Sequence, residues 1–191
     1  EFRRVLFRSV DYPISIVLIT KSIGTPVPIF YRNADFQVNY SEELEEKIKK
    51  TKIVHFSCWP LSMQPFRNTM EKIIKIAQIN KIIIAFDPNY HPMIWEKGHD
   101  GIEYVKSIIK YVDIIKPSED DAQRLFGKDT TDNQIDKFLE LGAKLVIMTT
   151  GKDGAVVSNG CEKIKIPTLA SNVVDTTGAD RKSTRLNSSH R

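Results

Sequence analysis

Four short polar stretches of this chain hold residue types that can do chemistry, and three of them directly follow an apolar or β-branched run. FDPNYHPMIW places a carboxylate at Asp87, an amide at Asn89 and an imidazole at His91 after KIIIA. KPSEDDAQRLFG places the Ser118 hydroxyl ahead of Glu119 and Asp121, after DII. TTGKDG, after LVIM, holds Thr149, Gly151 and Gly154. VVDTTGA holds Asp175, Thr177, Gly178 and Ala179. A small Gly/Thr turn between a strand and the next element presents backbone N–H groups, which suits phosphate. Each stretch alone also has a plain structural reading: a turn at DPN, a helix cap at SEDD, a hairpin loop at TTGKDG.

The elements that must position these stretches alternate. ISIVLIT and PVPIFYRNADFQV read as two strands around a Gly24 turn. SEELEEKIKK starts at a Ser41 cap, with acids first and lysines last, which suits a helix dipole. KIVHFSC reads as a strand, with His55 and Cys58 expected in the core or at the strand end. PFRNTMEKIIKIAQIN has Phe66, Met70, Ile73, Ile74 and Ala77 at helical spacing. KIIIAFD is almost wholly apolar, as a strand covered on both faces requires. GIEYVKSIIKYV reads as a helix, DIIKP as a short strand, and SEDDAQRLFG as a helix capped by Ser118. TDNQIDKFLELG is a helix closed by Gly142, AKLVIMTTG a strand, and GAVVSNG with EKIKIP a terminal hairpin. This alternation predicts an α/β domain with a mainly parallel sheet. Ligands of such sheets bind beyond the carboxyl ends of the strands, where the polar stretches lie.

The two ends read differently. Residues 1–9, EFRRVLFRS, can be encoded by a DNA strand whose complement, read one base in, encodes Asp180 to Ser188. Both also look like translated sequencing adapter. We therefore expect residues 1–9 and 180–191 to be non-native and outside the packed core, and residues 10–179 to be part of a larger domain. The ends hold seven of the 28 Lys and Arg residues and two of the 24 acids, leaving 21 basic against 22 acidic residues, a balance of −1. The basic character then implies neither nucleic acid nor a membrane surface as partner. No apolar run approaches the roughly 20 residues that span a bilayer. Cys58 and Cys161 lack metal-ligand spacing and read as reduced thiols of a cytoplasmic protein.

Taken in order, strand–DPN, strand–KPSEDDA–helix, strand–TTGxxGA and VVDTTGA resemble the ribokinase-like (PfkB) carbohydrate kinases, from about Ile14 to Ala179. The resemblance implies a three-layer α/β/α fold with a mainly parallel sheet, incomplete at both ends. It implies ATP-dependent phosphorylation of a sugar or sugar-acid hydroxyl, with ATP, Mg²⁺ and, in some members, a monovalent cation. DTTGA is similar to the front of the family's DTxGAGD signature, which makes Thr177, Gly178 and Ala179 an anion hole and gives Asp175 and Thr177 to a monovalent cation. The final Asp of that signature is the catalytic base. Arg181 stands in its place, so the resemblance implies that no base is retained and that this chain alone is inactive.

TTGKDGA is similar to a TxGxxGA stretch lining the nucleotide site, through Thr149, Gly151 and Gly154. KPSEDDA is similar to an NxxE stretch that organises Mg²⁺ water and phosphates, with Ser118 for Asn and Asp121 for Glu; Glu119 is the second metal candidate. FDPNYHPMIW is similar to a DPNxRxxxW stretch of fructokinases and 2-keto-3-deoxygluconate kinases, with Asp87, Asn89 and Trp95 matching and His91 in the arginine's place. FYRNAD is similar to a lid segment that closes over the sugar, through Tyr31 and Arg32. The partners implied are a small sugar and ATP, with pairing of two copies through lid strands in the intact protein. The rival readings are a non-catalytic sugar-binding α/β domain, which has no use for DTTGA or TTGxxGA, and a nucleoside kinase of the same family.

Overall fold

The computed structural model describes residues 11–19, 28–99 and 101–168. A two-stranded antiparallel hairpin opens it, β1 (Ile16–Ile19) against β2 (Pro28–Tyr31), with Val17 opposite Phe30. The extended reading of FYRNADFQV holds only as far as Tyr31. Beyond it Ala34–Phe36 coils into a single 3-10 turn. The cause is a contact from across the hairpin: the Ser15 hydroxyl accepts the Asn33 and Asp35 backbone N–H groups at 2.9 and 3.3 Å, taking them from any strand ladder.

Among the described residues the body is a six-stranded sheet in chain order: β3 (Ile53–Ser57), β4 (Ile83–Asp87), β5 (Ile114–Ile115), β6 (Leu145–Thr149), β7 (Ala155–Ser158) and β8 (Lys163–Ile166). Strands β3 to β6 are parallel; β7 and β8 return as the antiparallel hairpin the sequence predicts. Helix α1 (Glu42–Lys49) leads from the hairpin into β3, and α2 (Cys58–Leu61), α3 (Phe66–Ile79), α4 (Ile102–Ile109), α5 (Glu119–Phe126) and α6 (Thr131–Glu140) fill the crossovers. Their starts follow the sequence: Ser41, Ser118 and Thr130 each accept a backbone N–H from the first turn. In α3, Met70, Ile73, Ile74 and Ala77 are buried as their spacing requires, and Thr69 joins them.

Register explains the core. Phe56, Phe86, Ile115, Val146 and Ser158 are successive partners across five strands, and all are buried. On the opposite face, among the described residues, Ile53 and Ile83, also register partners, are 52 % and 41 % exposed. His55 is exposed on that same face rather than core-facing. Cys58 is fully buried, and burial pushes its thiol pKa up, so it is an inert core thiol. No helix among the described residues is long and apolar enough to cross a membrane.

Candidate functional site

Strands β3, β4, β5 and β6 end side by side, and their carboxyl edge collects three of the four polar stretches. Ser57 and Asp87 are register partners at the ends of β3 and β4. Asp87 forms an ion pair with Lys116 at 3.1 Å, both side chains mostly buried. Lys116 follows β5 directly and was not singled out from sequence; a lone cation immediately after an apolar strand was the available signal. Two residues on, Ser118 makes a parallel bridge to Thr149, and the Thr149 N–H reaches the Pro117 carbonyl at 2.9 Å. The starts of KPSEDDA and TTGKDG are therefore neighbours.

Asp121 is 4 % exposed and closes a reciprocal cap. Its Oδ2 accepts the Ser118 N–H at 3.0 Å and the Ser118 hydroxyl at 2.7 Å, while Ser118 Oγ accepts the Asp121 N–H at 3.1 Å. Its Oδ1 accepts the Tyr90 N–H from the loop after β4. Burial raises its pKa, overriding these hydrogen bonds, and the Asp87 charge adds to the rise. Glu119 does not join it. That side chain is exposed and accepts from the Thr131 hydroxyl at 3.2 Å, toward α6. The two expected metal carboxylates are therefore not brought together: Asp121 caps α5 and Glu119 turns toward α6. Among the described residues no group of three His, Cys, Asp or Glu side chains is placed to hold a metal ion.

The loop after β4 is clamped on both sides of one peptide-bearing residue. Tyr90 is buried; its N–H goes to Asp121 and its carbonyl accepts from Arg124 at 2.9 Å. Asn89 is exposed and takes a left-handed φ of 39°, which asparagine tolerates better than most residues. His91 caps the 3-10 turn Pro92–Ile94, with Nδ1 accepting the Met93 N–H at 3.2 Å. Burial, then the Arg124 charge, lowers its pKa. A neutral ring whose Nδ1 accepts carries its proton on Nε2. The His91 ring also meets Phe30 of β2 edge-on at 5.6 Å. Trp95 is buried against Tyr104.

Tyr31 is 58 % exposed on the hairpin. Arg32 corrects its expected role as a substrate contact. Nε and Nη2 donate to Asp35, Nη1 to Ser62 Oγ and to the Ile94 carbonyl at 2.8 Å, and Nη2 also to the Trp59 carbonyl at 2.9 Å. A guanidinium has five N–H donors, so none remains for a sugar. Asp35 was missed from sequence although it stands three residues after Arg32.

Thr149 ends β6, and TTGKDG turns the chain into β7, with the Thr150 N–H reaching the Gly154 carbonyl at 2.9 Å. Gly154 has φ +96°, and a Cβ there would lie 2.0 Å from the Ile166 carbonyl oxygen. Gly151 is exposed, with φ +55° and nothing within 4 Å of an added Cβ. Asp175, Thr177, Gly178 and Ala179, like both terminal flanks, lie outside the described residues.

The family described as pfkB family carbohydrate kinase matches residues 11–180. An ATP-dependent 6-phosphofructokinase of Thermoanaerobacterium thermosaccharolyticum is 62 % identical over 172 residues, covering 90 % of this chain and 53 % of that protein. A probable fructokinase-5 of Arabidopsis thaliana is 34 % identical over 154 residues, covering 79 % of this chain and 48 % of that protein. Among solved structures, the fructokinase of Halothermothrix orenii superposes with a TM-score of 0.75 at 39 % identity, over 83 % of this chain and 56 % of that one. The chain spans about half the length of the curated relatives it matches.

Proposed function

The chain belongs to the pfkB family of carbohydrate kinases, and from that premise we propose that its protein transfers the γ-phosphoryl group of ATP to a hydroxyl of a ketohexose, fructose or fructose 6-phosphate. The relatives named for those two sugars support the ketohexose class. The observation that carries the reading is the Ser118–Thr149 bridge beside the Asp87–Lys116 pair. It sets the loop after β4 and the TTGKDG turn along one carboxyl edge, the place where open parallel sheets bind ligands.

In this reading Asp87, Asn89 and His91 serve the acceptor, with Tyr31 of the lid above it. The neutral His91 offers a hydrogen bond to a hydroxyl without a fixed charge. Thr149, Gly151, Gly154 and Ser118 serve the nucleotide, with backbone N–H groups at the Gly151 turn facing phosphate. Phosphoryl transfer asks little covalent chemistry of the protein; it asks for donor and acceptor held in line and for charge stabilisation. When bound, Mg²⁺ neutralises phosphate charge, and Asp121 acts as the cap that shapes the loop facing it. Thr177, Gly178 and Ala179 as anion hole, a monovalent cation at Asp175, and a base beyond Ala179 complete the proposal, as do a cytoplasmic location, a dimer through the lids and inactivity of this chain alone. The binding-domain and nucleoside-kinase readings have no observation that favours them.

The test is ADP release by the complete protein with ATP, Mg²⁺ and a panel of fructose, fructose 6-phosphate, glucose, ribose and adenosine. Release with one of the two ketohexoses and not with the others is expected. Release with adenosine alone, or with none of the five, would overturn the proposal.

A further inference from the structure

Arg32 reaches acceptors in three separate parts of the chain. Asp35 belongs to its own turn, Trp59 and Ser62 to α2 and its end, and Ile94 to the 3-10 turn capped by His91. Its guanidinium also lies 4.2 Å from the centre of the Trp59 ring, and its side chain is only 8 % exposed. Two residues earlier on β2, Phe30 meets the rings of Trp59 and His91 at 5.5 and 5.6 Å. Side chains two apart on a strand share a face, and the alternation agrees: Ile29 and Tyr31, on either side of Phe30, are exposed. The hairpin therefore has an inner face that ends in a buried, fully bonded cation.

We infer that Arg32 is a positioning residue, a latch that fixes the β1–β2 hairpin and the loop after β4 as one unit. The Ile94 carbonyl accepts from Arg32 three residues after His91 caps the same turn, so displacing the hairpin breaks a bond at the base of the His91 loop and removes Phe30 from the imidazole. The rigid fork of the guanidinium is what lets one side chain satisfy Asp35, Ser62, Trp59 and Ile94 together. Lysine has the charge but only three donors on a single point. Naming that loop the acceptor side rests on the kinase reading; the latch itself does not.

Hydrogen exchange of the 191-residue chain, without ATP or sugar, tests this separately from catalysis. In Arg32→Gln and Arg32→Lys, peptides covering 28–36 and 90–96 should both exchange at least about tenfold faster, while 145–149 and 155–158 keep their rates. Asp35→Asn and Ser62→Ala should accelerate the same two segments by a smaller factor, and they decide the matter if the Arg32 variants retain no protected core. Acceleration confined to 28–36, native rates in Arg32→Lys, or equal acceleration throughout Asp35→Asn and Ser62→Ala would each overturn the latch.

Discussion

The carboxylate of Asp121, in the first turn of α5, accepts the backbone N–H of Tyr90, which lies one strand away in the loop after β4. One buried side chain thereby caps a helix and sets the path of the Asn89–His91 loop. Asp121→Ala leaves the Ser118 and Tyr90 N–H groups without their acceptor and should destabilise the chain by about 2–4 kcal/mol. Chemical denaturation of the variant beside the parent checks this; a change below about 0.5 kcal/mol would show that water replaces the carboxylate.

His91 should make stability fall on acidification. An unfolded imidazole titrates near 6.5, and burial followed by the Arg124 charge holds the folded value lower. The native state then binds fewer protons, so this contribution is complete above 6.5 and is lost as pH falls through the lowered native value. Protonation also removes the Nδ1 lone pair that accepts from Met93. An NMR titration should place the His91 midpoint below 6.5, and His91→Gln should flatten that part of the stability–pH curve. A midpoint above 6.5 contradicts the burial argument.

The two glycines of TTGKDG should differ. Gly154→Ala drives a methyl group into the Ile166 carbonyl and should cost more than about 2 kcal/mol, unpinning β8. Gly151→Ala meets nothing within 4 Å and carries only the left-handed backbone penalty of about 1–2 kcal/mol. Thermal or urea denaturation of the pair reads the order directly; equal losses would contradict it.

Among the described residues β3 is an edge strand, and its outward Ile53 lies beside the outward Ile83. An apolar, unpaired edge is a template for association. Sedimentation velocity should show concentration-dependent association, reduced in Ile53→Lys. A monodisperse monomer at all concentrations would mean that the described elements suffice as a core.

Much of this was legible in the sequence, because local signals and tertiary packing agree. The apolar spacing of α3, the Ser118 and Ser41 caps and the Gly142 helix end each specify their element without help from elsewhere. The candidate site was legible as polar stretches after strands, and the Ser118–Thr149 bridge brings two of them together. What sequence could not show are pairings made across long separations. Arg32 looks like an exposed lid cation until Trp59, Ser62 and Ile94 are in place, and nothing in KPSEDDA announces that Asp121 reaches the Tyr90 N–H.

The γ-phosphoryl group of ATP goes either to the sugar or to water. Incubating the complete protein with ATP, Mg²⁺ and fructose or fructose 6-phosphate, and following the reaction by ³¹P NMR, observes that directly. Loss of the γ-phosphate resonance with equal gain of ADP and of a new sugar phosphomonoester is expected. Loss of the γ-phosphate to inorganic phosphate alone, or an unchanged ATP spectrum with both sugars, would contradict it.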